Sequence, residues 1–437
     1  MSTQLINFNE WRSRLDRSAE QVIDNFFGKL ELTTHETSKA LFASLPEKRV
    51  LIEEVLYSLS LEEAPLRGVP YMLQDMFDVH DLATRCGAGF QDPFEAPLDE
   101  SCLLYQKLKA DGACFFAKTV PAEFGVDQQG RNRSFGNCPH RSGNHKIGGG
   151  GAGASIRAVS DGWVPLAFGL DTCGGMRIPT AFHGLFNYRM ITNNYARDGV
   201  FPIVPSIESV GWTTNNLEDL ATVFTAFNGH PNGGDKPLRG LIHTASSESM
   251  DSRIKIGLHQ VVRPLDIDED PWMERELTLL LNEAANTLAT LQARELYSVH
   301  RYWLEEYRDR YDSDLLRIIE TGKECSPQEA EACDVARGRI RARFIEIFQQ
   351  YDFIVLPVCP LASPQRKNWS PQIERETLRL MAPASVAMLP VLTLPFHCGV
   401  EEFGAAQVLI SPKHVHNTLR IIDALSDSFH GYNSAEL

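Results

Sequence analysis

The sequence predicts an α/β protein built on a largely parallel β-sheet, and two patterns carry that prediction. From Gly68 onward, short apolar runs are separated by glycine and proline, as in GVPYML, CFFAKTV and VPLAFG. Runs of this kind are typical of strands that are buried on both faces of a parallel sheet. Segments with a 3.6-residue apolar period flank these runs, which indicates helices that alternate with the strands.

The predicted elements follow a simple order along the chain. Residues 1 to about 60 have helical periodicity, as in AEQVIDNFFGKLEL and EKRVLIEEVLYSLSL, and a second helical block covers about 271–350. DFIVLPV, LPVLTLPF and AQVLISP then indicate strands, and HNTLRIIDALSDSF indicates a closing helix. No Gly/Ser linker or internal repeat divides the chain. We therefore expect an N-terminal helical cap over 1–65 and one α/β domain over 66–437, with the helical block as an insertion.

Composition excludes several classes of protein. The 437 residues carry a formal net charge of -15, from 57 acidic and 42 basic residues. This balance opposes non-specific binding to nucleic acid or to anionic membranes, and no basic block with interleaved aromatic residues is present. No uncharged apolar stretch reaches the roughly 18 residues of a membrane span, and no signal segment is evident. The nine cysteines are too sparse for a disulfide framework, so we expect a reduced, cytoplasmic protein.

The segment LDTCGGMRIP, residues 170–179, indicates a ligand-binding loop. Two adjacent glycines lie between an aspartate and an arginine, a pattern that suits a loop presenting backbone N–H groups to a ligand. Apart from Thr172, the only nucleophilic side chain in this loop is that of Cys173.

Several motifs, in the same order, resemble the amidase signature family. GVPYMLQDMFDV (68–79) is similar to the G-[IV]-P-x-x-x-K-D strand and turn of that family, and GACFFAKTVPAEFG (112–125) is similar to its GA…GKT…EF segment. GLDTCGGMRIP (169–179) resembles its GTDTGGSIRIP loop, and PSIESVGWTTNNLEDLA (205–221) resembles its S-x-D-x-x-G stretch before a helix. The late strands and Gln407 also match. The resemblance spans about Leu66 to the C-terminus and implies a mixed, mainly parallel sheet covered by helices on both faces.

The family hydrolyses amides with a Ser–cisSer–Lys triad, so the resemblance also implies which positions would carry it. A base must take the proton of the attacking serine, because an unactivated hydroxyl is a poor nucleophile at neutral pH. By resemblance, the lysine position holds Gln74 and the nucleophile position holds Gly175. The relay position holds Gly151, or Gly150 after a shift of one residue. Glutamine is no base near pH 7 and glycine has no side chain, so we expect a chain without the hydrolytic triad.

The positions that shape the family's pocket are better preserved. The matching residues are Asp171, Thr172, Gly174, Arg177 and Pro179, and Ser155 lies where the family also has a serine. The resemblance implies a pocket for substrate that is lined by Gln74, Gly151, Thr172, Cys173, Gly174 and Gly175. Because positions 151 and 175 lack side chains, we expect an enlarged cavity there. We expect Asp171 and Arg177 to form a buried ion pair that holds the loop, with ligand recognition as their alternative role.

Other motifs have simpler explanations than a site. Cys173 is a candidate substitute nucleophile, because a thiolate in a glycine-rich loop before a helix has a lowered pKa, but no histidine lies beside it in the sequence. GGGGAG contains G-x-G-x-x-G, yet the polar HRSGNHKI precedes it where a dinucleotide site needs a strand. CPHRSGNH (138–145) has one cysteine and two histidines, whereas structural zinc needs four ligands at defined spacings. We expect no metal and no cofactor.

Three functions stay open from the sequence. The first is a non-hydrolytic homologue that binds a small acyl or amide-like molecule, or serves as a pseudoenzyme subunit with a protein partner or a second copy. The second is a repurposed enzyme, such as a lyase, isomerase, cyclase or condensing enzyme, that uses the oxyanion loop to polarise a carbonyl. The third is an amide hydrolase with a substitute nucleophile such as Cys173.

Overall fold

Strands from both halves of the chain form one eleven-stranded sheet. A computed structural model describes residues 5–90, 92–230, 236–244 and 250–432. The strands of these residues are β1 (Phe42–Ser44), β2 (Val69–Gln74), β3 (Ala113–Thr119), β4 (Pro139–His140), β5 (Gly143–Ile147), β6 (Leu166–Leu170), β7 (Phe186–Arg189), β8 (Val210–Thr214), β9 (Arg239–Ile242), β10 (Asp266–Asp268), β11 (Phe353–Pro357), β12 (Val391–Gly399) and β13 (Glu402–Ile410). The order across the sheet is β1-β3-β2-β6-β8-β7-β12-β13-β11-β9-β10, and β4 and β5 form a separate hairpin.

Helices precede, separate and follow the strands. Within the same residues they are α1 (Phe8–Arg17), α2 (Ala19–Leu32), α3 (His35–Leu41), α4 (Lys48–Ser60), α5 (Leu103–Ala110), α6 (Gly153–Ser160), α7 (Arg177–His183), α8 (Leu217–Asn228), α9 (Ser252–Val261), α10 (Pro271–His300), α11 (Leu304–Tyr307), α12 (Ser313–Glu324), α13 (Pro327–Ile347), α14 (Pro371–Val386) and α15 (Asn417–Leu425). The predicted helical block over 271–350 corresponds to α10–α13. In the part of the chain that is described, no helix is both long and apolar enough to cross a membrane.

The prediction of a mixed sheet in an α/β protein is confirmed. Among the described strands, β3–β2, β2–β6, β11–β9 and β9–β10 are parallel pairs. The other six pairs, including every pair between β6 and β11, are antiparallel. More of the strand pairs are antiparallel than the apolar runs had indicated. The runs do not distinguish the two kinds of pair, because an antiparallel strand that is covered on both faces has the same apolar sequence as a parallel one.

Alternate residues of the strands enter two hydrophobic clusters. Tyr71 and Leu73 of β2 belong to one cluster, whereas Met72 between them belongs to a second cluster with Phe116 of β3. Since successive side chains of a strand point to opposite faces, the sheet has an apolar core on each side. Side chains of α2, α4 and α6 complete the second core, and side chains of α5, α8 and α10 complete the first.

The N-terminal segment adds a strand as well as helices. Its β1 pairs with β3 in antiparallel register, with Phe42 opposite Thr119. The same segment docks through the start of α1, where the N–H of Phe8 donates to the Asp219 carboxylate of α8 at 3.1 Å. The segment before β2 therefore extends the edge of the sheet through β1, which helical periodicity alone did not predict.

Three parallel strands end at one edge of the sheet and position the site. β2 ends at Gln74, β3 at Thr119 and β6 at Leu170. The carboxyl ends of parallel strands face the same way, and open α/β sheets bind ligands at that edge. Loops that follow β3 and β6 lie there beside the glycine run.

Candidate functional site

A cavity of about 620 Å³ lies between these loops and three helices. Residues 125–128, 150–151 and 172–175 form the loop side. The helical side is formed by Ala289, Gln292 and Ala293 of α10, by Asp314, Leu315, Arg317, Ile318 and Thr321 of α12, and by Pro371, Glu374, Arg375 and Leu378 of α14. Side chains spaced by three and four residues share one face of a helix, so each helix turns one face to the cavity. A cavity of this volume suits a small organic molecule.

The chain also has a larger groove, of about 1080 Å³, far from the predicted site residues. It lies between the N-terminal segment, α8 and the residues around α15. None of the site residues that the sequence predicts lines it. The smaller cavity is therefore the candidate site, because five of the predicted residues line it: Gly151, Thr172, Cys173, Gly174 and Gly175.

Gln74 lies behind the cavity wall and joins two of its loops. Its side chain is 1% exposed, and it does not line the cavity. The Nε2 amide group donates to the carbonyl oxygen of Gly151 at 3.0 Å, and Oε1 accepts from the N–H of Leu170 at 2.8 Å. Both ends of the amide are thus engaged, and the side chain ties the glycine run to the end of β6.

There is no free space for a Cβ atom at Gly151 or at Gly175. A Cβ added at Gly151 would lie 2.2 Å from the carbonyl oxygen of Gly125. A Cβ added at Gly175 would lie 2.6 Å from the carbonyl oxygen of Leu170. The expectation that the missing side chains enlarge the cavity is therefore wrong at these two positions, because the backbone of neighbouring loops fills the space.

Asp171 and Arg177 form a fully buried ion pair that shapes the loop from behind. The Nη2 of Arg177 lies 2.9 Å from Oδ1 of Asp171, and neither residue lines the cavity. The Asp171 carboxylate also accepts from the N–H groups of Gly174 and Arg177, at 3.0 and 3.1 Å. Arg177 donates further to Oε1 of Gln407 at 2.9 Å. Burial acts to raise the pKa of Asp171, but the two guanidinium groups of Arg177 and Arg189 outweigh it and lower that pKa.

The loop presents backbone donors to the cavity. The N–H of Gly174 is engaged by Asp171, whereas the N–H groups of Cys173 and Gly175 make no hydrogen bond to any described residue. Unpaired N–H groups at a cavity surface can hold a carbonyl oxygen. That these two N–H groups face a ligand stays a prediction.

Cys173 lines the cavity, but its surroundings disfavour a thiolate. Burial, together with the nearby Asp171 carboxylate, raises the pKa of the thiol to about 12. This shift is opposite to the lowered pKa that the glycine-rich loop predicted. No histidine or lysine lies among the residues that line the described cavity. The thiol is thus protonated at neutral pH.

The motifs and the fold together match one known protein family. The family model for Amidase matches residues 21–311, which is more than half of the chain. This chain belongs to the amidase family. The match begins well before Leu66, where the visible motif resemblance starts.

Curated relatives in the amidase family share about a third of their residues over part of the chain. A glutamyl-tRNA(Gln) amidotransferase subunit of Legionella pneumophila is 31% identical over 244 residues, which are 53% of this chain and 50% of that protein. The AtzE subunit of the 1-carboxybiuret hydrolase of a Pseudomonas species is 32% identical over 167 residues, 38% of this chain and 36% of that protein. The chain spans about half the length of the first relative, and less of the second.

Solved structures agree on the amidase fold over nearly the whole chain. The urea amidolyase of Kluyveromyces lactis superposes with a TM-score of 0.85 at 19% identity, over 97% of this chain and 27% of that one. A protein of a vestigial complex, described in connection with the origins of an s-triazine catabolic enzyme, superposes with a TM-score of 0.84 at 19% identity, over 97% and 98% of the two chains. At these identities the likeness concerns the fold.

The glycine run of this amidase-family chain follows a strand, contrary to the sequence prediction. β5 (Gly143–Ile147) precedes the run and α6 follows it. However, β5 pairs only with β4 among the described strands, in an antiparallel hairpin, so no parallel βαβ unit is formed. The glycine run thus lacks the parallel βαβ setting in which a dinucleotide site is built.

The cysteine and histidines of segment 138–145 do not converge. His140 is buried, with Nε2 2.9 Å from the carbonyl oxygen of Phe182 and the N–H of Ser142 donating to Nδ1 at 3.1 Å. Burial lowers the pKa of His140 to about 3, so the ring is neutral. Cys138 is also buried, whereas His145 is exposed. Among residues 5–90, 92–230, 236–244 and 250–432, no group of three or more His, Cys, Asp or Glu is arranged to hold a metal ion.

The sequence did not predict that charged and polar residues of segment 127–131 form part of the cavity wall. Arg131 donates from Nη2 to Oδ2 of Asp127 at 2.6 Å and to Oδ2 of Asp314 at 2.9 Å, which joins this wall to α12. Gln128, which follows Asp127 in the chain, also lines the cavity. No periodicity marks this segment, and its position becomes visible only once α12 is placed against it.

Proposed function

We propose that this amidase-family chain binds a small, uncharged acyl or amide-like molecule without hydrolysing it. The observation that carries the proposal is the Gln74 bridge between Gly151 and Leu170. The family motif implies that this position should supply the base, and here it holds a neutral amide whose two ends are already bonded. An amide that is fixed in this way cannot accept a proton from a nucleophile at neutral pH.

The nucleophile positions support the same proposal. Gly151 and Gly175 carry no hydroxyl, and the space for one is filled by backbone. Cys173 keeps its proton because burial raises the pKa of the thiol to about 12. The carboxylates of Asp127 and Asp314 are paired with Arg131. The thiol of Cys173 is therefore not activated to attack a carbonyl carbon, and the remaining carboxylate of the cavity, that of Glu374, is exposed on α14.

The inner surface of the cavity favours an uncharged ligand. Leu170, Ile178 and Ile203 contribute apolar surface next to the donor loop. The unpaired N–H groups of Cys173 and Gly175 supply the polar contact that fixes the orientation of a carbonyl. We therefore place the acyl or amide end of the ligand against residues 172–175.

The names of the relatives support a second candidate, a pseudoenzyme that works as part of a complex. One relative is a subunit of an amidotransferase and another is a subunit of a hydrolase. In such a role the chain would bind a protein partner, and the Gln74 bridge would keep the loops in shape. A repurposed enzyme that polarises a carbonyl without an acyl-enzyme is a third candidate, which turnover of a bound compound without any burst would support.

Product release and thermal stabilisation test the proposal together. The purified full chain is mixed with p-nitroanilides and p-nitrophenyl esters, and its melting temperature is measured with a panel of primary amides. We expect no burst of nitroaniline or nitrophenol, and a concentration-dependent rise in melting temperature with at least one amide. A burst that Cys173→Ala abolishes would establish hydrolysis and contradict the proposal. Silence with every compound, together with a partner that co-purifies in stoichiometric amount, would favour the subunit role.

A further inference from the structure

A groove of about 660 Å³, here called the basic groove, lies outside the candidate site. It is formed by α3, the loop of residues 133–137, the hairpin of β4 and β5, and the segment after β11 that contains Arg366. None of the residues that line it also lines the 620 Å³ cavity. A groove of this volume is large enough to hold a small organic molecule.

Three cations line the basic groove, and each comes from a different segment of the chain. Lys39 lies on α3, Arg133 lies in the loop before β4, and Arg366 follows β11. Among the described residues that line the groove, one carboxylate, that of Glu36, accompanies them. With His35 counted as neutral, the lining therefore has two positive charges in excess. The chain as a whole has a formal net charge of -15, so the groove is a local reversal of the overall charge.

Two of these cations have no partner within the described parts of the chain. Lys39 and Arg133 are exposed, and neither makes a hydrogen bond or an ion pair with a described residue. The charge of Arg133 does act on the buried Glu123. That carboxylate, however, accepts from the N–H groups of Gly89 and Asp312, at 3.1 and 2.7 Å, and not from Arg133.

The third cation, Arg366, is half-buried without a carboxylate of its own. Its Nε donates to the carbonyl oxygen of Asn144 at 3.0 Å, which fixes the side chain against the hairpin. Burial lowers the pKa of Arg366, and the nearby Asp127 acts to raise it. The Asp127 carboxylate is itself bonded to Arg131 at 2.6 Å, so it does not neutralise Arg366.

The loop that presents Arg133 and Phe135 to the groove is held by one buried side chain. Asn132 is 4% exposed, and its Oδ1 accepts from the N–H groups of Ser134 and Phe135, both at 2.9 Å. Its Nδ2 donates to the carbonyl oxygens of Gly87 and Pro121, at 2.9 and 3.0 Å. The half-buried ring of Phe135 is therefore held on the groove wall, and little ordering is needed when a ligand binds.

The charge and shape of the groove select one class of ligand. A phosphate monoester carries a charge of about -1.5 to -2 at pH 7, which matches the excess of two positive charges, whereas a carboxylate carries only one. Guanidinium groups also pair well with phosphate oxygens, because several N–H donors lie in one plane. The ring of Phe135 adds an apolar surface for the organic part of such a molecule.

We propose that the basic groove binds a small organic phosphate, with Lys39, Arg133 and Arg366 at the phosphate group and Phe135 against the organic part. The inference does not depend on the proposed function, because the groove and the amidase cavity share no lining residue.

Calorimetry with phosphate probes tests this inference. The full chain is titrated with phenyl phosphate, with inorganic phosphate and with phenol. We expect phenyl phosphate to bind more tightly than inorganic phosphate, and phenol to give no saturable heat. Arg133→Gln and Arg366→Gln should each bind phenyl phosphate about ten-fold more weakly, because a charge-assisted contact is lost. Phe135→Ala should bind phenyl phosphate no better than inorganic phosphate.

Two exposed cations outside the groove serve as matched controls. Lys367→Gln, next to Arg366 in the chain, and Arg263→Gln remove the same charge, and we expect changes of less than two-fold. Arg133 makes no hydrogen bond in the free protein, so Arg133→Gln tests the site even if Arg366→Gln, which loses the bond to Asn144, disturbs the fold.

Three results would overturn the inference. They are the absence of saturable binding of phenyl phosphate, equal weakening in the groove variants and in the two controls, and equal affinity for inorganic phosphate and phenyl phosphate. Each of them would leave non-hydrolytic binding in the amidase cavity intact, whereas a burst of nitroaniline would contradict the proposed function and leave the basic groove untouched.

Discussion

At the scale of single residues, Gly175 is the most constrained position of the candidate site. A serine there would place its Cβ 2.6 Å from the carbonyl oxygen of Leu170, which is closer than real Cβ contacts. We expect Gly175→Ser to lower the free energy of unfolding by about 1–3 kcal/mol, as overpacking of a core does. We also expect no hydrolysis, because Gln74 cannot deprotonate the new hydroxyl.

Urea unfolding and nitroanilide release check both parts of that prediction. Gly28→Ser is the matched control, since a Cβ at Gly28 of α2 would meet nothing within 4 Å. We expect that control to change stability by less than about 0.5 kcal/mol. Measurable nitroanilide turnover by Gly175→Ser would disprove the proposed role of Gln74.

Gln74 itself is expected to contribute to stability through its two hydrogen bonds. Gln74→Leu would leave the buried N–H of Leu170 without a partner, while the carbonyl of Gly151 would keep its bond from the N–H of Ala122. We expect a loss of about 2–4 kcal/mol in the free energy of unfolding, measured in urea. Gln21→Leu, on the exposed face of α2, should cost less than about 0.5 kcal/mol. Equal losses in Gln74→Leu and Gln21→Leu would mean that the two hydrogen bonds of Gln74 do not stabilise the fold.

The sequence motif indicated that these residues belong to the candidate site, but it could not indicate which residues they contact. The motif placed Gln74 and Gly175 next to the site. The two bonds of Gln74, however, reach residues that lie 77 and 96 positions further along the chain. The space beside Gly175 is filled by the end of β6. No local sequence pattern indicates where that end lies.

At the scale of elements, the contact between α1 and α8 contains a titrating group. Both carboxylate oxygens of Asp219 accept from the N–H of Phe8, and Asn216 donates to Oδ2 at 2.7 Å. The pKa of Asp219 is raised from its ordinary 3.8 to about 7, because burial, with a smaller contribution from Glu218, outweighs the hydrogen bonds and Arg12, which lower it.

Stability should therefore fall as pH rises through this window. Between about pH 4 and pH 7 the folded protein keeps a proton that the unfolded chain has lost, so deprotonation works against folding. Relative to Asp219→Asn, which does not titrate, the wild type should lose about 2–4 kcal/mol between pH 4 and pH 7 and stay level above pH 7. Urea unfolding of both proteins at several pH values measures the difference. Parallel pH profiles would rule out the titration of Asp219.

Elements with strong periodicity were predictable, and short ones were not. Helices α2, α4 and α10 show clear apolar periods, and β2, β3 and β6 show apolar runs that mark them as strands. The short β7, β9 and β10 have only three or four residues each, too few for a period to be recognised. Their presence depends on pairing with neighbours that are distant in sequence, so the antiparallel position of β7 and the parallel edge formed by β9 and β10 stayed hidden.

At the scale of the whole molecule, an aromatic cluster joins the end of helix α10 to the loop after β3. The ring of Phe124, in the loop after β3, is fully buried and lies 4.5 Å from His300 at the end of α10 and 5.3 Å from Phe201. Tyr311 and Phe90 complete its surroundings. This contact holds the helical side of the cavity against the loop side.

Phe124→Ala should therefore cost about 3–5 kcal/mol in the free energy of unfolding, as expected for a buried aromatic residue. The half-buried Phe135 provides a control, and its replacement by alanine should cost clearly less. Chemical denaturation followed by circular dichroism measures both losses. A loss at Phe124 no larger than at Phe135 would show that the cluster does not hold α10 against the loop after β3.

The packed glycines also have an evolutionary consequence. The positions facing Gly151 and Gly175 are backbone atoms of Gly125 and Leu170, and Leu170 is in turn bonded to Gln74. A substitution at one of these sites is therefore expected to change the effect of a substitution at the others, which means that the positions are epistatic. Under the proposed function, no single codon change at 151 or 175 opens a path to a serine nucleophile. The loops would have to move and position 74 would have to become lysine in the same lineage, so the chain is separated from its hydrolytic relatives by steps that are useful only together.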